Sequence, residues 1–282
     1  MSAEIGLTST TLEAPVRPRR SRLFRATLGR FDDAASRHTI DDLAAWVEDY
    51  FRADLKERPS KHVYLRTLPA PIVEQIDRLR DSPQIHAAIL RQFSPTSAIV
   101  PMKHTDELYI SHYNKDYGGD HGLFSKHYDG NLRFLPFGSV VRALIYLQSD
   151  STYKVVFGDS QVERAFTTYE FGLLDFHREL HWVEGEYRPS DLQRILLKCN
   201  YLIVPEGAGL PARAVMGANT GVFYVVKAAM EYSKSPRNPL QFGVGLLCNV
   251  VRILNNIHPL VPLVLLALLP AVVAWGLWRL LG

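Results

Sequence analysis

The stretch 122–134, "GLFSKHYDGNLRF", sets His127 and Asp129 two positions apart, just ahead of a run of strand-forming residues. In an extended segment residues i and i+2 project to the same face, so an imidazole and a carboxylate are aimed at one point. Gly130 then lets the chain turn away. More imidazoles follow in "LLDFHRELHWVEG", which offers His177 and His181. Two histidines and one carboxylate on one side of a divalent metal leave its remaining positions open to small ligands. The residues alone leave His177 and His181 both open as the distal donor. The next run, "RILLKCNYLIVP", carries Arg194 and Lys198, which share a face by the same period of two.

Those donors need a rigid frame, and the sequence divides into two parts that supply one. The segment 39–57, "TIDDLAAWVEDYFRADLKE", has Thr39 at a cap position, acidic residues in its first turn and Leu43, Trp46, Val47, Tyr50 and Phe51 at helical spacing. The segments 70–82 and 84–93 are two further expected helices, bounded by Pro59, Pro69 and Pro95. Beyond residue 96 the pattern becomes short and alternating, rich in Val, Ile, Tyr and Phe, and predicts strands at 106–114, 140–148, 153–159, 170–176 and 194–205. No helix-length segment alternates with them, which excludes a parallel α/β sheet and leaves an all-β barrel or sandwich.

With these segments in place, the chain resembles the Fe(II)/2-oxoglutarate-dependent dioxygenases, most of all their prolyl-4-hydroxylase-like branch. "HYD" matches that family's His-x-Asp, and "LLDFHRELHWVEG" followed by "RILLKCNYLI" matches its distal His and basic strand. The resemblance implies His127, Asp129 and His181 as metal ligands, with His177 in the turn before the third, as the alternative. It implies that Arg194 holds the distal carboxylate of 2-oxoglutarate, with Lys198 as the fallback on the same face. Tyr113 and Tyr146 match positions that hydrogen-bond this co-substrate. Fe(II), 2-oxoglutarate and O2 are the implied cofactors, with ascorbate as an optional reductant, and hydroxylation of an unactivated C–H bond is the implied reaction. Retention of Asp129 favours hydroxylation over halogenation. The match covers 109–204. Within it the family's Gly-Gly-Glu type turn is replaced by "SDSTYKVVFGDSQVERAFTTYEFG", so prolyl specificity does not carry over.

Composition narrows the remaining possibilities. The chain has 282 residues, 47% of them hydrophobic and 22% charged, enough to bury a full core. The net charge of +3 reflects Arg17, Arg19, Arg20, Arg22, Arg25 and Arg30, crowded near one end; without a basic face elsewhere, nucleic acid is excluded as a partner. Two cysteines, Cys199 and Cys248, make neither a disulfide framework nor a Cys-x-x-Cys zinc site, which points to a reducing compartment. The run 260–281 is apolar except for Arg279, and at ~1.5 Å per residue it can cross a hydrocarbon core of about 30 Å. Trp275, Trp278 and Arg279 suit its headgroup end.

The expected architecture is therefore α+β. A basic disordered leader (1–37), with a transit peptide as the alternative, precedes a helical support region (38–95). A double-stranded β-helix, or jelly-roll, core (96–235) follows, then an amphipathic interfacial segment (236–258) that could instead be one arm of a hairpin. A transmembrane anchor (259–282) comes last, with a buried hydrophobic helix as its alternative. This implies a single-pass membrane enzyme with its catalytic domain in the cytosol, acting on a protein side chain or a hydrophobic small molecule. Two other readings stay open: a tail-anchored, non-catalytic scaffold on a dioxygenase-like barrel, and a metal dioxygenase that does not use 2-oxoglutarate.

Overall fold

The computed structural model describes residues 24–52, 60–111, 126–129, 139–185, 194–204 and 237–247, with isolated positions between 210 and 232. The expected anchor and the N-terminal part of the leader lie outside the described residues. Among the described residues, no helix is long and apolar enough to cross a membrane.

Order begins earlier than the leader's expected end at residue 37. Strand β1 (Thr27–Arg30) is followed by helix α1 (Ala34–Phe51), whose cap is Asp33: its Oδ1 accepts the Ser36 N–H at 2.7 Å. Thr39, the expected cap, lies one turn inside the helix, and its hydroxyl donates to the Ala35 carbonyl. Ile40, Leu43, Ala44, Val47 and Phe51 form the buried stripe. Strand β2 (Ser60–Tyr64), which the sequence pattern did not predict, precedes α2 (Ala70–Arg80) and α3 (Pro83–Leu90). Both helices carry proline in the first turn, where no N–H is needed.

The β-half comprises β3 (Ala98–Pro101), β4 (Glu107–Ser111), β5 (Ser139–Gln148), β6 (Asp150–Phe157), β7 (Val162–Thr167), β8 (Glu170–Asp175), β9 (His181–Glu184) and β10 (Arg194–Val204). They form two antiparallel sheets. The larger runs β1-β8-β5-β10-β4-β2, with β3 also on β10; the smaller runs β7-β6-β9. The result is a mixed α and β structure, consistent with a jelly-roll-like core.

The alternation along the central strands explains how one sheet serves two surroundings. Val141, Ala143, Ile145 and Leu147 of β5, with Ile195, Leu197, Cys199, Tyr201 and Ile203 of β10, share one core with the buried residues of the helices. Leu144 and Tyr146 of β5 and Leu196 of β10 look the other way, into a second core with Val155, Phe157, Phe166 and Val183 of the smaller sheet. Gly172 makes that second core possible: a Cβ there would lie 2.8 Å from the Phe166 ring, which stacks on Tyr146 with centroids 4.3 Å apart.

One charged pair lies wholly within the first core's margin. Arg80 of α2 is fully buried and donates from Nε to Asp106 Oδ2 at 2.7 Å, while Asp106 Oδ1 accepts the backbone N–H of Asn200. Burial pushes the Asp106 carboxyl up to about 6, although Arg80 and the Asn200 N–H pull it down. Arg80→Leu should therefore cost about 3–5 kcal/mol by leaving that carboxylate without its cation. A carboxyl raised above its unfolded value stabilises the fold in acid and loses that contribution as pH climbs through its folded pKa. The deficit should accordingly be larger at pH 8 than at pH 5 in denaturant melts, and a pH-independent deficit would contradict the assignment.

Candidate metal centre

His127 and His181 meet through an isolated antiparallel bridge: His127 N–H donates to the His181 carbonyl at 3.1 Å, and His181 N–H donates back at 3.0 Å. Residues paired in this way place their side chains on the same face. The two rings lie with centroids 4.5 Å apart. Asp129, two positions beyond His127, joins them, with Oδ1 3.7 Å from His127 Nε2 and Oδ2 3.5 Å from His181 Nε2. One donor atom from each of the three lies within 4.8 Å of the others.

The chemistry of this donor set suits a divalent first-row metal. His181 Nδ1 faces the Glu179 carbonyl at 3.1 Å; a carbonyl only accepts, so Nδ1 carries the proton and Nε2 keeps its lone pair. Burial lowers the His181 pKa to about 4, against the pull of Asp129, which keeps the ring neutral near pH 7. Burial alone would raise the Asp129 carboxyl, but the Arg142 guanidinium, with Lys198 behind it, holds it far below the usual range. Glu179 is itself fixed, accepting the Ser160 N–H at 3.0 Å and its hydroxyl at 2.6 Å.

A cleft opens beside the three residues, lined by Tyr109, Leu144, Val155, Trp182, Val183, Arg194, Leu196 and Lys198. The larger sheet delivers both expected cations from one face of β10. Arg194 donates from Nη2 to the Tyr146 hydroxyl at 3.3 Å and lies over that ring. The register of β10 on β5 shifts between Ile195 and Leu196, a local irregularity at the strand's site end. Lys198 is differently engaged: its Nζ lies 2.9 Å from Glu107 Oε1, whose other oxygen faces His62. Burial would raise the Glu107 carboxyl, but Lys198 and His62 hold it well below the carboxylate range.

His177, the alternative third donor, is buried against Phe176 and stands outside the three-residue cluster. Tyr113 and the expected rim of the site at 114–126 fall, except for Lys126, outside the described residues. Lys126 sits 4.4 Å from the Trp182 ring centroid at the edge of the cleft. The sequence reading missed Arg142 of β5, whose Nη1 lies 2.8 Å from Asp129 Oδ2. The available signal was its position two residues before Leu144 and four before Tyr146, on the face those residues share.

No family model and no curated sequence matches the chain. Among solved structures it is similar to the non-heme alpha-ketoglutarate-dependent epimerase SnoN of nogalamycin biosynthesis, at 13% identity over 64% of this chain and 79% of that one, with a TM-score of 0.42. It is also similar to a prolyl 4-hydroxylase from Phytophthora capsici, at 14% identity over 83% of this chain and 81% of that one, TM-score 0.42. A viral collagen prolyl hydroxylase from Paramecium Bursaria Chlorella virus-1, in complex with 2OG, matches at 11% identity over 63% and 96%, TM-score 0.38.

If the three side chains act together as donors, the metal-free protein should take up one Mn(II) or Ni(II) per chain in calorimetric titration. His127→Ala, Asp129→Ala and His181→Ala should each weaken that binding by about tenfold or more, in line with loss of a ligand. His177→Ala should leave it intact; the reverse pattern at the two later histidines would move the third ligand to His177.

Proposed function

We propose that the chain is an Fe(II)- and 2-oxoglutarate-dependent oxygenase on a double-stranded β-helix, hydroxylating an unactivated C–H bond of a protein side chain or a hydrophobic small molecule. The observation that carries this reading is the placement of His127, Asp129 and His181 at one side of a cleft whose opposite strand presents Arg194 braced by Tyr146. His127, Asp129 and His181 would hold the iron, and the chemistry supplied there is oxidative decarboxylation of 2-oxoglutarate to succinate and CO2, coupled to insertion of one oxygen atom into the substrate.

The protein's own contribution is positioning. Arg194 offers the distal carboxylate of the co-substrate two parallel N–H donors, while the Tyr146 hydroxyl and ring restrict the guanidinium to one orientation. Lys198, already facing Glu107, serves better as a fixed wall of the cleft than as a second clamp. Leu144, Val155, Val183 and Leu196 keep that wall apolar, which excludes water and strengthens every polar contact inside it. A second reading, a non-catalytic scaffold, draws on the Arg142 guanidinium beside Asp129, which can balance that carboxylate without a metal.

Membrane attachment is the other part of the proposal. The apolar run 260–281 would span the bilayer, with the domain carrying His127 on the cytosolic side. Just before it, the helix at 239–247 exposes Leu240, Phe242, Leu246 and Leu247, side chains suited to an interfacial position.

The catalytic and the membrane proposals are tested separately. Purified protein given Fe(II), 2-oxoglutarate and membrane extract should release succinate and yield a product heavier by one oxygen atom. Arg194→Leu should weaken apparent 2-oxoglutarate affinity by about tenfold or more while keeping metal binding, whereas Lys198→Met should change it little. Loss only in Lys198→Met would reassign the clamp, and a protein that takes up no metal would favour the scaffold. Separately, the full-length protein should resist extraction by carbonate or high salt and require detergent; release without detergent would remove the membrane reading, and protection of the His127 region from protease in sealed vesicles would reverse its orientation.

A further inference from the structure

We infer that Arg142 is a positioning residue that restricts Asp129 to one-oxygen coordination and so keeps three metal positions open. The inference rests on the metal-centre reading above. Arg142 projects from β5 into the site, nearly buried, with Nη1 2.8 Å from Asp129 Oδ2. Its orientation is set from behind: Nε donates to Asn200 Oδ1 at 2.9 Å, and the guanidinium lies over the Phe176 ring at 4.4 Å.

Asn200 cannot turn to release it. Its Nδ2 donates to the Thr105 carbonyl at 3.1 Å and approaches the Thr105 hydroxyl at 2.9 Å; the carbonyl only accepts, so the amide oxygen must face Arg142. The backbone N–H of Asn200 is in turn held by Asp106, and Asp106 by the buried Arg80. A continuous line of buried polar contacts thus runs from α2 through the end of the sheet to one oxygen of the metal-site carboxylate.

That line has a coordination consequence. A carboxylate beside a divalent ion can bind through one oxygen or two, and each choice changes how many positions remain. A guanidinium N–H engaged on Oδ2 fixes the carboxylate plane and leaves Oδ1 as the better donor. Three protein donors then leave three positions of an octahedral ion, two for a chelating 2-oxo acid and one for O2. Two-oxygen binding would take one of these away.

The test counts metal-bound water. With Mn(II) bound to the full-length protein, the longitudinal relaxivity of solvent protons reports how many water molecules exchange from the ion. The wild-type value should correspond to three, and a value corresponding to two would overturn the inference whatever the variants do. In Arg142→Leu the released carboxylate should close on the ion, lowering relaxivity by about one third, from three open positions to two. If that variant does not fold, Arg142→Gln, too short to reach Asp129 from the same strand position, is read in the same way. Wild-type relaxivity in the folded variant would dismiss the role of Arg142 while leaving the metal centre standing. Absence of Mn(II) binding in the wild type, or binding undiminished in Asp129→Ala, would instead remove the metal-centre reading and this inference with it.

Discussion

Two backbone hydrogen bonds between His127 and His181 hold together residues far apart in sequence, and the rest of the site follows from them. The pairing itself decides that both rings stand on one face, and the pleat decides that Asp129 joins them. No side-chain attraction is needed to gather the donors. Because the bridge is isolated from the longer ladders, its stability is borrowed from β9, whose pairing with β6 places His181 opposite Phe157. The centre is therefore a property of main-chain geometry first and of electrostatics second.

The larger sheet supplies the complementary half. On β10, Arg194, Leu196, Lys198 and Asn200 alternate with side chains committed to the helix-facing core, so charged groups are brought into a buried region without interrupting it. Those beside the cleft are met by a partner of opposite charge or by a polar group: Lys198 by Glu107, and Arg142 of β5 by Asp129 and Asn200. Such pairs cost desolvation that their mutual attraction only partly offsets, and they are weak grounds for stability. Their number around one cleft is better understood as geometric control, since a fork of guanidinium donors fixes directions that an apolar packing would leave free.

Much of this was legible in the sequence, and the failures have physical causes. His127 and Asp129 could be placed on a common face because a period of two follows from extended backbone, and the long alternating runs became β5, β8 and β10 close to where the pattern put them. His181 could be separated from His177 only through the family likeness, because spacing says nothing about which turn ends in a bridge. Strands β1, β2 and β3 are too short to show a period, and they take their form from neighbours already in the sheet. Thr39 followed by acidic residues imitates a cap, but Asp33 lies where a carboxylate can reach the first N–H groups and wins. Arg142 was overlooked because a lone charge in an apolar run ordinarily faces water; here Asp129, Asn200 and the Phe176 ring enclose it.

The strict alternation along β5 and β10 also shapes how the protein can diverge. On each of these strands, neighbouring positions answer to different demands: on β5, Val141, Ala143 and Ile145 to packing beneath the helices, Leu144 to the cleft, and Arg142 and Tyr146 to Asp129 and Arg194, which line it. Exchange of one residue at a time can thus revise what the cleft accepts while leaving the opposite face untouched. Loss or gain of a single residue within either strand has no such tolerance, since it trades the two sets wholesale, sending cations under the helices and aliphatic side chains into the cleft. Lineages that alter specificity should therefore accumulate substitutions on these strands and confine changes of length to the connections between them.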